Sequence, residues 1–117
     1  MLEVTILNYL DNVMPDPVRM ERQENAPGRY YIIEKTGGGR TEHIGKARIA
    51  IQSYADTMAE AADMNLAVID AMCYGCISLD EIANIELNSD YNFTDTTTKK
   101  YRYQAIFDVV HYDDRRL

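Results

Sequence analysis

The sequence predicts an α+β fold, with a mostly antiparallel sheet of about four to five strands and two helices packed on one face. Apolar residues recur at helical spacing in two separate segments. The other segments are rich in β-branched and aromatic residues and alternate apolar with polar positions, as half-buried strands do. Strands joined by short turns, together with two helices, are typical of this fold class.

The first predicted helix covers residues 2–13. Pro15 and Pro17 end it, because proline disfavours helix continuation. The second helix is predicted to start with Asp56 as its N-cap and to stop near Gly75. Each helix carries one apolar stripe. These stripes are Leu2, Ile6, Leu7, Leu10 and Val13 in the first helix, and Met58, Ala62, Leu66, Ile69 and Cys73 in the second.

Five segments have strand character, and Gly, Pro and Asn punctuate the chain between several of them. We expect a turn at residues 25–28 and a flexible loop at Thr36–Thr41. In the strand that follows this loop, Ala47, Ile49 and Ile51 share one face, so that face is predicted to be buried. The predicted strands are Val18–Gln23, Arg29–Lys35, Glu42–Tyr54, a strand within Leu79–Leu87, and Lys99–Tyr112.

The closing strand is unusual for its length and its tyrosines. Fourteen residues from Lys99 to Tyr112 contain no Gly or Pro. Fully extended, they would span about 46 Å, whereas a compact domain of this size is about 35 Å across. Its apolar side begins with Tyr101 and Tyr103 and its polar side with Arg102. Tyrosine and arginine are enriched at protein interfaces, so we expect this strand to pair with another chain.

Length and composition favour one domain over residues 1–117, with 46% hydrophobic residues and a core that needs no disulfide or metal. The formal net charge of −7 argues against a surface built to neutralise phosphates. No apolar run is long enough to span a membrane, and the N-terminus lacks the basic region of a signal peptide. Two cysteines without an export signal fit a reducing cytoplasm.

Few residues suggest chemistry. Cys73 and Cys76 form a CxxC pair, but at the C-terminal end of a helix, where the dipole disfavours a thiolate. A structural zinc site usually needs a second such pair. Gly37, Gly38 and Gly39 lead into a strand rather than into the Lys-Ser/Thr and helix of a phosphate-binding loop. The sequence therefore predicts no cofactor-binding or metal-binding residue.

Histidine and acidic residues are equally uninformative about catalysis. No nucleophile and orienting acid accompany His43 or His111. The spacing of the acidic residues does not match a calcium loop. We expect them to be solvated charges: Asp80, Glu81, Glu86, Asp90 and Asp95. No catalytic residue is predicted, and the protein is not expected to be an enzyme.

A short N-terminal helix leads to RYYIIEKTGGG, and the strand HIGKARIAIQSYADT feeds the Ala-rich helix MAEAADMNLAVIDAM. An acidic turn then leads into a final Y-x-A-x-F strand within IANIELNSDYNFTDTTTKKYRYQAIFDVVHY. This order of sequence blocks resembles the bacteriophage tail terminator, or tail completion, family. The resemblance covers most of residues 1–112, and the family carries no catalytic motif.

The resemblance implies a structural virion protein of a phage or prophage. Such proteins form hexameric rings that cap the tail tube, end its polymerisation and meet the head–neck proteins. The implied partners are further copies of the chain, the tail tube protein and a head–neck connector protein, with no membrane involved. DNA would pass through the ring without specific binding, which an acidic protein suits. The expected location is the virion tail, reached from the host cytoplasm.

Interface residues are predicted from these arguments, because a ring needs two different patches that meet on neighbouring subunits. We expect the closing strand with the acidic turn at residues 90–98 to provide one side, and the glycine loop the other. The predicted interface residues are Gly37, Gly38, Gly39, Arg40, Asp90, Tyr91, Asp95, Tyr101, Arg102 and Tyr103. Two alternatives stay open, a neck or head–tail connector protein of the same virion and a non-enzymatic cytoplasmic oligomeric binding module.

Overall fold

The computed structural model describes residues 1–22, 26–94 and 100–112. Strand β1 is only two residues long, whereas the other four strands have eleven or twelve residues each. The molecule measures 46 × 26 × 24 Å, and strands of about 40 Å account for most of the longest dimension. In chain order the elements are α1 Leu2–Val13, β1 Val18–Arg19, β2 Tyr30–Thr41, β3 Ile44–Ala55, α2 Met58–Asp70, β4 Ile82–Asn92 and β5 Tyr101–Tyr112.

The strands form one open sheet in the order β1-β2-β3-β5-β4. β1 pairs with β2 in parallel, and all other pairs are antiparallel. Side chains of both helices join one apolar cluster with the inward-facing residues of the sheet, among them Ile6, Met64, Ile49 and Phe107. The predicted α+β class, with its mostly antiparallel sheet, is therefore confirmed.

The central strand β3 anchors this core. Ile49 and Ile51 are fully buried on the helix side, and Phe107 of β5 lies beside them at 0% exposure. The Tyr31 hydroxyl donates a hydrogen bond of 3.2 Å to the backbone oxygen of Met64, which ties β2 to α2 inside the core. Burial raises the pKa of this hydroxyl, with Asp16 adding to the effect, so Tyr31 stays a neutral donor.

The predicted apolar stripe of α2 is only partly correct. Ile69 and Cys73 pack against the core, but Leu66, at the centre of the stripe, is 61% exposed. The helix is rich in alanine, so several faces are similarly apolar, and the sheet selects the one that carries Met64. That face tolerates a polar member, Asn65, whose amide donates to Asp90 of β4 at 3.3 Å. The buried residues of the helix are Ala61, Met64, Asn65 and Val68.

The ends of α2 also differ from prediction. Thr57, not Asp56, is the N-cap, and its side chain accepts a hydrogen bond from the backbone N–H of Glu60. The α-helix ends at Asp70 and continues as a π-helical turn to Gly75, so Gly75 does not stop the helix. Gly75 instead allows a close approach, because a Cβ there would lie 2.0 Å from the Tyr9 hydroxyl oxygen of α1.

The glycine segment is not a loop. Residues 37–41 continue β2 and pair with β3, after a bulge between Lys35 and Gly37. The chain reverses instead at Glu42 and His43, with Glu42 in the left-handed region at φ 55°. β3 is paired with β5 on its other side over its whole length, so its position is fixed. The glycines of β2 therefore pair with the backbone of β3.

Three strand predictions also need correction. β1 ends at Arg19, and both Gln23 and the start of the turn predicted at residues 25–28 lie outside the described residues. β4 runs on to Asn92, so Asp90 belongs to a strand rather than to a turn. β5 lies between β3 and β4 with partners on both sides, so the expected pairing edge on this strand is wrong. Residues 95–99 are not described.

Replacing Met64 tests which face of α2 carries the core. Met64→Ala is expected to lower the free energy of unfolding by about 2–5 kcal/mol, because it leaves a cavity beside the sheet. Leu66→Ala is the matched control on the exposed face and should change it by less than about 0.5 kcal/mol. Urea unfolding of both variants makes the comparison, and a larger loss for Leu66→Ala would contradict the observed packing.

Candidate interaction surface

In the part of the chain that the structure describes, one face of the sheet carries no helix, and we call it the helix-free face. It carries the alternate residues of β2, β3, β5 and β4 that point away from the apolar cluster of the helices. A smaller apolar cluster of Tyr30, Ile32 and Tyr54 lies on it, and Ala26 packs against this cluster. The helix-free face is thus organised rather than merely solvated, and it is a candidate for an interaction surface in the described chain.

A row of polar side chains crosses the middle of the helix-free face. The Gln52 amide nitrogen donates to Glu34 at 3.0 Å and to the Gln104 side-chain oxygen at 2.7 Å. The Gln104 amide nitrogen in turn donates to the Tyr91 hydroxyl oxygen. Gln52 and Gln104 are 8% and 7% exposed. This polar row, Glu34–Gln52–Gln104–Tyr91, links four adjacent strands and fixes their side chains in one network.

One end of the face carries aromatic rings and cations. Tyr30 and Tyr54 stack with their ring centres 4.7 Å apart. Arg102 donates to the Tyr54 hydroxyl oxygen at 3.0 Å, and its guanidinium lies 4.3 Å from the centre of the Phe93 ring. Lys100 donates to the backbone oxygen of Gly28 at 2.7 Å and pairs with Asp56 at 3.0 Å. These contacts fasten the start of β5 to its surroundings.

The other end of the face is a shallow groove floored by glycine. Gly37 and Gly39 lie beside Arg48 and Lys46 of β3 in the sheet register. The groove has a volume of about 510 Å³ and is also lined by Asp108 and Val110 of β5. We call this the glycine groove. The groove exists because Gly37 and Gly39, two successive positions of β2 on this face, carry no side chain.

An ion pair borders the glycine groove. Arg48 Nε lies 3.0 Å from Asp108 Oδ1, and Asn88 of β4 donates to Asp108 Oδ2 at 2.9 Å. The hydrogen bond from Asn88 lowers the pKa of Asp108, and the hydrogen bond from Arg48 adds to this effect. Because the folded pKa is depressed, the stabilisation is present above the unfolded pKa and is lost as the pH falls through the folded pKa.

Two edges of the sheet are open in the described part of the chain. β1 pairs only with Tyr31 and Ile32, so β2 beyond Ile33 has no strand on its outer side there. All residues from Glu34 to Thr41 are exposed. At the opposite edge, β4 pairs only with β5, and most of its residues are exposed. The backbone groups of such edges are a template for pairing with another strand.

The predicted interface residues do not form one patch. Gly37–Gly39 and Arg40 lie at the glycine end of β2, far along the sheet from the start of β5. Tyr91 and Arg102 both point to the helix-free face, where their contacts are the polar row and the aromatic end. These assignments to an interface stay predictions.

The other predicted residues lie elsewhere. Tyr103 packs against the apolar cluster under the helices, and Tyr101, 37% exposed, points to the same side of β5, opposite to Arg102. Asp90 also lies on the helix side, where it accepts from Asn65. Asp95 lies outside the described residues. The alternation of a strand therefore splits the Tyr101–Arg102–Tyr103 triplet between two faces.

The remaining candidates for chemistry show no active arrangement among described residues. Cys73 and Cys76 are free thiols. Burial raises the pKa of both, to about 12 for Cys76, which disfavours the reactive thiolate. The ring of His111 lies against Gly45, where it faces β3. Within residues 1–22, 26–94 and 100–112, no group of three or more His, Cys, Asp or Glu is placed to hold a metal ion.

Sequence reasoning missed Gln52, Gln104 and Lys46 as members of a surface. Their alternation already assigned Gln52 and Lys46 to one face of β3, and Gln104 to the polar face of β5. Only the pairing of β3 with β5, which puts Gln52 opposite Gln104, brings them together. The alternation was visible within each strand, but it does not reveal the order of the strands in the sheet.

No protein-family model matches the sequence, and no curated protein matches it either. Among the helices of the described residues, none is both long and apolar enough to cross a membrane.

The contribution of the polar row to stability can be tested by mutation. Gln104→Leu keeps the size of the side chain but removes its hydrogen bonds to Gln52 and Tyr91, so the free energy of unfolding should fall by about 1–3 kcal/mol. Asn84→Leu, the same change of an amide at an exposed site on β4, is the control and should cost less than about 0.5 kcal/mol. Equal values from urea unfolding would show that the row contributes nothing.

The ion pair at the glycine groove can be tested through its titration. Asn88→Ala should raise the pKa of Asp108 towards its ordinary value of 3.8, because a hydrogen bond to the carboxylate is lost. Arg48→Ala should also raise it, because a hydrogen bond and a favourable charge interaction are lost together. Carboxyl chemical shifts followed by NMR across a pH series give both values. An unchanged pKa in Asn88→Ala would contradict the assigned cause.

Proposed function

We propose that the protein is a structural component of a phage or prophage virion that caps the tail tube. In this role it ends tube polymerisation and joins the tail to the head or neck as a homo-hexameric ring. Its partners are further copies of itself, the tail tube protein and a head–neck connector protein. It works in the virion tail and assembles in the host cytoplasm.

The observation that carries the proposal is the pair of unlike open edges on one long sheet. A ring needs a heterologous contact, in which one patch of a subunit meets a different patch of its neighbour. The outer edges of β2 and β4 are two such patches at opposite sides of the same sheet. The order of the sequence blocks, which resembles tail terminators, gives this geometry a specific role.

The arrangement of ionisable groups supports a structural role over catalysis. The carboxylates and cations for which partners are described pair at the surface, as in Arg48–Asp108 and Lys100–Asp56, rather than converging in a closed pocket. Enzymes commonly gather groups with perturbed pKa values in a cleft. The most strongly shifted groups here, Tyr31 and Cys76, owe their raised pKa first to burial in the core.

Charge fits the passage of DNA. A net charge of −7 makes the protein surface repel phosphates on average, and like charge disfavours sticking. A ring around a moving duplex would benefit from this property. The proposal assigns no residue to the lumen.

Electron microscopy of particles made without this protein tests the proposal. We expect overlong tails, or tails that lack heads, because nothing would stop the tube or join it to the neck. Supplying the wild-type chain in trans is the control and should restore joined particles with tails of uniform length. Tails of normal length without heads would favour the neck connector, and normal complete particles would contradict both roles.

A further inference from the structure

We infer that β4 of one copy pairs in antiparallel fashion with the open edge of β2 in a second copy, and that Glu86 enters the glycine groove of that copy beside Lys46. This inference rests on the proposed function, because it names the contact that would close the ring. Three observations carry it: the direction of the strands, the distribution of charge, and the empty space above two glycines.

Strand direction allows this contact in a ring. Each of the pairs β2–β3, β3–β5 and β5–β4 is antiparallel, so β4 runs opposite to β2 within one subunit. Copies related by rotation about an axis along the strands keep that direction. β4 of one copy therefore meets β2 of the next as an antiparallel partner, and the sheet continues from subunit to subunit. The exposed stretch of β2, Glu34–Thr41, offers about 26 Å for this pairing.

The two edges carry opposite charge. The exposed stretch Glu34–Thr41 of β2 contains Lys35 and Arg40 and one acidic residue, Glu34, which accepts from Gln52. Lys46 and Arg48 of β3 stand next to this stretch. β4 contains Glu86 and Asp90 and no basic residue. Pairing two β4 edges about a two-fold axis would instead oppose like charges, which destabilises a cross-strand contact. The charge pattern thus favours the heterologous contact.

The glycines divide into two kinds. A Cβ on Gly38 would lie 2.9 Å from the backbone oxygen of Lys46, so the fold itself requires glycine there. A Cβ on Gly39 would meet nothing within 4 Å, and one on Gly37 would meet only the Arg48 Cβ at 4.0 Å. Glycine weakens a strand interior and often marks the close approach of another backbone or ligand. The fold does not account for Gly37 and Gly39, whereas an approaching strand does.

The register of the sheet brings Glu86 to the groove. Glu86 pairs with Asp108, Asp108 with Arg48, and Arg48 with Gly37, so all four lie at one level along the strands. In the next copy, Lys46 would be two strand spacings across and two residues along from Glu86, or about 12 Å. Because Gly37 and Gly39 have no side chains, the space above them allows the long side chains of Glu86 and Lys46 to meet. Arg48 already pairs with Asp108, so Lys46 is the cation that the proposal assigns to Glu86.

A charge swap tests the contact. Lys46→Glu and Glu86→Lys each place like charges at every interface and should weaken self-association by about threefold to tenfold, whereas the double variant should recover it. Asp63→Lys, the same change of charge on the exposed face of α2, is the control and should associate like the wild type. Light scattering over a range of concentrations gives the masses, and thermal unfolding checks that each variant is folded.

Filling the groove gives a second test that does not depend on charge. Gly39→Val adds a β-favouring side chain in open space, so the fold should be as stable or more stable. Self-association should nevertheless fall by about tenfold or more, because the side chain occupies the path of Glu86. Association equal to wild type in Gly39→Val and in both single charge variants would overturn the inference, as would a wild-type chain that is monomeric at every concentration.

The two proposals fail separately. A protein that assembles without regard to Lys46, Glu86 and Gly39, yet whose loss gives overlong or headless tails, keeps the proposed function and loses this contact. A protein that responds to the swap as expected, but whose loss leaves complete virions unchanged, keeps the contact and loses the function.

Discussion

The structure depends on β3 being paired along nearly its whole length on both sides. All twelve of its residues have a partner in β5, and eleven have a partner in β2. A strand paired in this way fixes the register of its neighbours, since a slip by one residue would turn Ile49 and Ile51 away from the core. The core, the polar row and the glycine groove all take their positions from this one strand.

This constraint explains why the helix-free face is polar and yet ordered. Gln52 of β3 lies between neighbours on two strands, so the nitrogen and the oxygen of its amide group both have partners. A buried amide without such partners would cost about 1–3 kcal/mol. The polar row therefore depends on correct register, because a slip of β2 or β5 would break its hydrogen bonds. A face of this kind needs no helix to cover it.

The sequence predicted the class of fold because its periodicities are strong. Examples are the apolar stripe of α1, which includes Leu10, and the alternation of Ala47, Ile49 and Ile51 in β3. It failed where local preference and tertiary pairing disagree. Three consecutive glycines favour a loop locally, but backbone pairing with β3 holds them in a strand. In α2, alanine on several faces left Leu66 and Met64 equally plausible as core residues, and only the position of the sheet decides between them.

The candidate site was less predictable than the fold, for a related reason. Residues in one strand reveal their face through alternation, but the contacts that make a surface join different strands. Gln52 and Gln104 are 52 positions apart in the chain, and no local pattern connects them. The expected pairing edge on β5 is wrong because strand length was read as a sign of an open edge. The structure shows that the longest strands can be the most enclosed.

An open edge is a liability that proteins ordinarily blunt, with charges, prolines or bulges. β4 has two irregularities in its pairing and two carboxylates, which would deter uncontrolled association with most strands. The same carboxylates suit an edge with basic neighbours, so deterrence and selectivity come from one pair of side chains. β2 also has a bulge, between Lys35 and Gly37, but Gly37 and Gly39 offer no side chain to block a partner. An edge this accessible, beside Lys46 and Arg48, is better explained by pairing with a specific strand than by a lack of protection against non-specific pairing.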